Sequence, residues 1–357
     1  MKSALVSVTV VTHNSGPFIG RCLDAVFRQE YEALEVIVVD NASQDDSGRV
    51  LSQYQDRIRL IENSRNTGFA AAQNQAIAAS RGEWILTLNP DVLLQPAFVA
   101  RLVEAGGLDS RVGSVCGKLL RLQCDFTIPS APRIDSAGIY FTRAIRHFDR
   151  GWNEPDDGQY DQTEYVFGAC AAAALYRREM IDAISLDDGF FDPDFFTYRE
   201  DADVAWRAQL LGWRCIYAPQ AVAHHVRRVV NGSRLGAPAI LKMHSVKNRF
   251  LMRIKNMTDD LYRRNWLPAT FRDFLVVGGC LFYEPRSLPA FWRLVGCLPR
   301  AITKRRHIMK RRVAGDEYLA TWFQVKSRPL EPSISKAEEQ PAVVENRSAG
   351  SLVIEQG

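Results

Sequence analysis

Short apolar runs alternate with amphipathic stretches through the first 225 residues. Residues 5–12 (LVSVTVVT) form an unbroken run rich in Val and Thr, the composition of a buried strand. After the loop His13-Asn14-Ser15-Gly16-Pro17, residues Ile19, Cys22, Leu23, Val26 and Phe27 recur at helical spacing and predict a helix over 18–29. Strands at 34–39, 58–61 and 84–88, with helices at 44–54 and 68–80, continue the order. Such alternation predicts an α/β fold with a mostly parallel sheet and right-handed crossovers.

Beyond residue 92 the rhythm is less regular. A helix at 97–106 precedes short strands near 112–116 and 139–141. Residues 151–162 are polar with two Pro/Gly turns and are expected to be mobile. Residues 167–176 are apolar and rich in small side chains. An amphipathic helix at 201–211 is followed by strands at 214–218 and 221–223, which lead into His224-His225. From residue 238 the pattern is helical and basic, and from about 329 it is polar and predicts disorder. The expected division is a catalytic domain over 1–226, a basic helical region over 227–328 and a tail over 329–357. No internal repeat is evident.

Charge sharpens that division. Residues 1–225 hold 21 Lys and Arg against 30 Asp and Glu, whereas 226–328 hold 22 against 6. A basic block of that size suits an anionic partner. Basic residues such as Arg249, Arg253, Lys255, Arg263, Arg264 and 304–312 interleave with aromatic and aliphatic ones. That mixture fits an anionic membrane surface. No nucleic-acid-binding motif accompanies it, and nucleic acid is not expected. The longest apolar candidate, 274–283, is too short to span a bilayer. Seven scattered cysteines without a CxxC pair favour reduced thiols, and Met1-Lys2-Ser3 leads straight into a strand rather than a signal peptide. The expected location is cytoplasmic, peripheral on the inner face of the cell membrane.

Four acidic or metal-capable points fall at element ends. The strand 84–88 stops at Asn89-Pro90-Asp91, which places a carboxylate on the sheet's C-terminal edge, where open α/β sheets bind ligands. There it can hold a divalent cation against a diphosphate, although Pro90-Asp91 is equally an ordinary turn. Asp40 ends the second strand and also suits an Asx turn. Glu200-Asp201 open a helix, where acids are favourable on electrostatic grounds alone. His225 follows a strand, a position that is often merely structural.

The stretches VSVTVVTHNSGPFIGRCLDAVFRQ, LEVIVVDNASQDDS, NTGFAAAQNQAIAASRGEWILTLNPD and FFTYREDADVAWRAQLLGW, in that order across residues 5–226, resemble the inverting family-2 glycosyltransferases of GT-A fold, in particular bacterial rhamnosyltransferase-like members. By that resemblance Thr12 and Asn14 line a nucleotide pocket, and Asp40 accepts a hydrogen bond from the pyrimidine N–H. Asn66, Gly68 and Asn74 match a loop near the nucleotide, with Gly68 opening a helix whose free N–H groups favour anions. Asp91 corresponds to the last acid of the family's Asp-x-Asp motif, with neutral Asn89 in the first position. His225, rather than His224, matches a metal-binding histidine for Mg²⁺ or Mn²⁺. Asp201 matches the catalytic base, with Glu200 and then Asp203 as rivals. Gly168, in the run 167–171, matches a stretch that shapes the sugar cavity, and close core packing would use the same residues.

The resemblance implies transfer of a sugar, foremost L-rhamnose from dTDP-rhamnose, from a dTDP- or UDP-sugar to a polysaccharide or lipid-linked saccharide. Two other readings compete. A sugar-nucleotide nucleotidyltransferase would need a Gly-rich, basic loop after the first strand, where this chain has HNSGP. A non-catalytic lipid- or nucleic-acid-binding protein would act through 226–328 alone.

Overall fold

The computed structural model describes residues 3–227 and 238–330. The tail expected from 329 lies outside the described residues from 331 onward. Its N-terminal half is β1 (Val6–Thr12), α1 (Gly16–Phe27), β2 (Leu34–Asp40), α2 (Ser47–Leu51), β3 (Arg59–Glu62), α3 (Phe69–Ala79) and β4 (Trp84–Leu88). Next come β5 (Val92–Leu94), α4 (Phe98–Gly106), β6 (Val112–Arg121), β7 (Ile134–Ser136), β8 (Ile139–Phe141), β9 (His147–Asp149), β10 (Glu164–Val166) and β11 (Ala173–Arg177). Then follow α5 (Arg178–Ile184), α6 (Glu200–Leu210), β12 (Arg214–His225), α7 (Ala239–Asn256), α8 (Asp259–Phe282), α9 (Pro289–Arg311), α10 (Asp316–Thr321) and β13 (Arg328–Pro329).

The sheet follows the order β13–β10–β12–β6–β11–β4–β1–β2–β3. Strands β3, β2, β1 and β4 are parallel, with Val8 opposite both Val36 and Leu86. Every residue of β1 and β4 is buried, so both faces are covered, and the runs carry only apolar residues and small hydroxyl side chains. Beyond β4 the sheet becomes mixed. β11 runs antiparallel to β4 and β6, and β12 pairs parallel with β6. The mostly parallel expectation holds, with β3, β2, β1 and β4 and the β6–β12 pair parallel and antiparallel strands set between and beside them.

Three expected elements differ. The helix over 44–54 shrinks to α2 and a 3₁₀ turn, Ser52–Tyr54, because 41–47 is taken up in side-chain turns. The strands at 214–218 and 221–223 are one strand, since a register shift between Ala218 and Val222 accommodates Pro219-Gln220 as a bulge. The segment 151–162 is pinned: Lys118 bonds Asp156 at 3.0 Å and Asp161 at 2.6 Å, and Tyr160 is buried.

The helical region is no detachable appendage. Trp322 and Phe323, just past α10, join Phe141, Phe167 and Trp206 in one buried aromatic cluster, and β13 adds to the sheet beside β10. Lys255 of α7 lies fully buried between Asp192 at 2.5 Å and Asp203 at 2.9 Å. Removing one partner of a buried ion pair leaves an uncompensated charge. Lys255→Met is therefore expected to destabilise the fold by about 3–5 kcal/mol, read as a lower urea midpoint.

Candidate active site

Strand pairing builds the site. Asn89 N–H donates to Ala172 O at 2.8 Å, and Val92 N–H donates to Asn89 O at 3.2 Å, so 89–92 close as a turn. β5 then pairs antiparallel with the end of β12, with Val92 opposite His225. That register sets the His225 Nε2 3.4 Å from the Asp91 carboxylate, both buried. On the other side of the ring, Nδ1 lies 2.8 Å from Asp135 of β7. Burial alone would lower the imidazole's pKa, but Asp135, and then Asp91, raise it to about 10. His225 is thus held between two carboxylates; its neighbour His224 pairs opposite Leu93 and Leu120 and makes neither contact.

The chain of charges continues. Arg227 lies 3.4 Å from Asp135 and 2.7 Å from Asp149, whose charge acts on Asp201. Asp201 is the second residue of α6, and its Oδ1 accepts from Ala202 N–H at 2.8 Å. Its Oδ2 accepts from Ala171 N–H at 3.4 Å, in the loop that also bonds Asn89. Burial and the charge of Asp149 push its carboxyl up to about 6. Glu200, buried without a partner for Oε2, is pushed to about 8 by burial and by Asp201. Both carboxyls are held above their ordinary range, Glu200 further than Asp201, so Asp201 is the one of the pair that gives up its proton more readily. Asp203 is excluded as a base: it is fully buried and held by Arg207 at 3.0 Å, by Lys255 and by Asn256 at 2.7 Å.

The backbone that delivers Glu200-Asp201 is strained. Phe196, Tyr198 and Arg199 all have positive φ (64, 66 and 71°). Asn248 of α7 holds this loop by donating to the carbonyls of Phe195, Thr197 and Tyr198 at 2.8–2.9 Å. Arg199 is anchored on Ser245 O at 3.0 Å and on the His147 ring at 2.9 Å.

Asp40 ends β2, two strands from β4 on the same edge, and its Oδ1 accepts from Ser43 N–H at 3.1 Å, the Asx turn. Thr12, opposite Asp40, has its hydroxyl buried without a hydrogen-bond partner among the described residues. Asn14 ties the loops after β1 and β2 together by accepting from Gln44 N–H at 2.8 Å. Asn89 is half-buried. Three expectations shift. The helix start at Gly68 is occupied by protein, since Gly68 N–H donates to Asn66 and Ala70 N–H to Phe196 O, so these N–H groups are not free for an anion. Gly68 is required sterically, with φ +85° and Phe196 only 2.5 Å from where a Cβ would sit. Asn74 bonds Phe191 N–H at 2.9 Å and Phe191 O at 2.7 Å, which makes it a clamp on the 188–191 loop. At Gly168 a Cβ would fall 2.2 Å from the Ala205 Cβ, so close packing of α6 accounts for this glycine.

Sequence reasoning missed Asp135, Asp149, Arg227 and Asn41. Asn41, just past Asp40, accepts from Asn63, Thr67 N–H and the Thr67 hydroxyl, and donates to Asn66, so it organises the loops after β2 and β3. An acid inside the otherwise apolar run IDSAGIYF was the available signal for Asp135. Among the described residues Asp188, Asp192 and Asp194 also lie close enough to share an ion. Lys304 sits among them at 2.5, 2.6 and 3.1 Å, with Lys255 on Asp192 and Arg300 on Asp194, so three cations already answer their charge.

A sheet of this order with acids at its C-terminal edge is the GT-A design. The family model for glycosyl transferase family 2 matches residues 7–185. Similar proteins include the N-acetylglucosaminyl-diphospho-decaprenol L-rhamnosyltransferase of Mycobacterium tuberculosis, 28% identical over 245 residues, 62% of this chain and 76% of that protein. The glycosyltransferase GlyG of Streptococcus pneumoniae is 29% identical over 29% of this chain and 35% of its own. Among solved structures, GalNAc-T7 with UDP, GalNAc and Mn²⁺ superposes with a TM-score of 0.55 at 14% identity, over 72% of this chain and 50% of that one. S. aureus TarS 1–349 superposes with a TM-score of 0.53 at 14% identity, over 86% of this chain and 90% of that one. The chain belongs to glycosyl transferase family 2. It is a glycosyltransferase of GT-A fold.

Proposed function

We propose that the enzyme inverts the anomeric centre of a nucleotide-bound sugar, best assigned as L-rhamnose from dTDP-L-rhamnose, in transferring it to a lipid-linked saccharide at the inner face of the cell membrane. One observation carries the reading: Asp201 stands beside Asp149 in the same charge network, through Arg227 and Asp135, as the Asp91–His225 pair. Asp201 accepts the proton of the acceptor hydroxyl as that oxygen bonds to the anomeric carbon. The bond from that carbon to the diphosphate breaks on the opposite face, and its electron pair leaves with the nucleotide. One carboxylate suffices, because the diphosphate is already a good leaving group.

Asp91 and His225 suit a divalent cation, Mg²⁺ or Mn²⁺, which when bound neutralises the departing diphosphate. The fit rests on Asp135, which fixes the ring through Nδ1 and turns Nε2 toward Asp91, the usual support of a metal-binding imidazole. Asp40, two strand spacings from β4 or roughly 10 Å, takes the pyrimidine end of the same molecule, beside Thr12 and Asn14. The donor and acceptor assignments draw support from the activity named for the mycobacterial relative. Purified protein with Mg²⁺ or Mn²⁺ and a panel of sugar nucleotides is the test. dTDP-rhamnose is expected to be hydrolysed or bound with a preference of about tenfold or more. Parity with UDP-sugars would cancel the donor assignment, and no binding of any sugar nucleotide would cancel the whole reading.

A further inference from the structure

No helix among the described residues is long and apolar enough to cross a membrane. Many basic residues that suggested lipid contact are engaged within the protein. Arg249 and Arg253 pair with Asp273, Lys255 with Asp192 and Asp203, Lys304 with three aspartates, and Arg264 with Asp260 and Glu317. The protein nevertheless presents a large unpartnered surface elsewhere.

Seven-residue steps along α8 put Leu267, Phe274 and Leu281 in one row and Leu275 and Phe282 in the next, with Phe271 between them. All six are exposed, Phe274 at 72% and Phe282 at 81%. Gly278 and Gly279 continue this open side, since a Cβ at either would meet no atom within 4 Å. The helix buries only Leu261, Asn265, Ala269 and Cys280. Past its end stands Tyr283, 90% exposed, and one turn into α9 stands Trp292, 80% exposed, followed on the same side by Val295 and Ile302. Apolar surface of this extent on a folded protein marks an interaction site.

We infer that α8, the turn after it and the first turns of α9 lie in the interface of an anionic bilayer, with the rings of Phe274, Phe282, Tyr283 and Trp292 at headgroup depth. Charge selects this occupant. Arg286 and Arg293 border the apolar rows, and no carboxylate pairs with them among the described residues, while Arg263 and Arg306 line a neighbouring groove with Asp259, Asp260 and Asp316, which pair with Arg305, Arg264 and Arg312. Between residues 261 and 315 the chain has two acids, Asp273 and Glu284, and both are paired internally. A second copy of the chain would set arginines against arginines, whereas anionic headgroups complement them. The arginines and aspartate within α8 suit a helix lying in the interface rather than crossing it. This inference rests on the proposed lipid-linked acceptor for its purpose, but lipid binding can be measured without any sugar.

Flotation of the full-length protein with vesicles of phosphatidylcholine, with and without phosphatidylglycerol, tests it. Binding to the anionic vesicles is expected. The triple variant Phe274→Ser, Phe282→Ser, Trp292→Ser is expected to weaken it by at least about tenfold, with hydrolysis of the sugar nucleotide in lipid-free buffer unchanged. Arg286→Glu with Arg293→Glu is expected to weaken binding most at low salt. Absent binding to either vesicle, wild-type binding by the triple variant, or a soluble dimer that the triple variant dissociates would each overturn it. Intact flotation with failed donor selectivity would sink the proposed chemistry and leave the membrane surface standing.

Discussion

Asp201→Asn is expected to lower the turnover of glycosyl transfer by about 10³-fold, within the range that a positioned general base supplies. The substitution is nearly isosteric and removes the carboxylate's capacity to take a proton, together with the longer of its two accepted hydrogen bonds, the 3.4 Å one from Ala171 N–H. Stability is expected to hold or to rise, because a buried group whose pKa is pushed up to about 6 is one whose ionised form the fold disfavours. Loss of turnover with an unchanged or higher melting temperature therefore distinguishes a base from a structural acid. The pH profile gives a second readout. Asp201 must be ionised, so turnover should fall about tenfold per pH unit below a midpoint near 6. Glu200 is pushed up further than Asp201 by burial and by Asp201 itself, and Glu200→Gln should leave that acid limb in place. If Glu200→Gln abolishes turnover and Asp201→Asn spares it, the roles are reversed.

How much of this was legible in the chain depends on the distance over which each feature is decided. Strands β1, β2 and β4 could be read to within a residue or so, because strands buried on both faces need continuous apolar runs. The points Asp40, Asp91, Asp201 and His225 could be read as element ends. Their partners could not. Asp135 reaches His225 only because β6 pairs with both β7 and β12, a contact across 90 residues of chain. Arg227 and Asp149 meet across 78 residues. Periodicity carries no information about which distant strands will be neighbours.

The basic region shows the same limit in another form. Summed charge suggested one positive surface, but the fold sets several cations against acids of the catalytic half, notably Asp188, Asp192, Asp194 and Asp203. A net charge counts residues without their partners. The exposed rows of α8 were hidden for the opposite reason. A helix apolar on both sides shows little amphipathic contrast in sequence, and only the packing reveals which side is left uncovered.

The second large effect concerns the cation. Asp91→Ala removes the proposed anionic ligand opposite His225, and transfer should fall by about 10²–10⁴-fold, the scale of losing electrostatic stabilisation of a leaving group. Added metal should not restore it, because the missing group is the ligand itself. A chelator should have the same effect on the natural chain, reversed by adding Mg²⁺ or Mn²⁺. Asp135→Asn should behave differently. Asp135 holds His225 through Nδ1, so its loss is expected to disorder the ring without deleting a proposed ligand. Outer partners of this kind change metal affinity by about 10–100-fold, and excess metal should recover most of the activity. The imidazole also carries a proton while it is held between two carboxylates, with its pKa raised to about 10. Metal binding must then release a proton from His225, and the affinity should strengthen as pH rises toward that value. Mn²⁺ titration followed by the ion's paramagnetic resonance gives affinity without reference to turnover. Tight Mn²⁺ binding by Asp91→Ala would place the ion elsewhere and remove the metal assignment, whatever its activity.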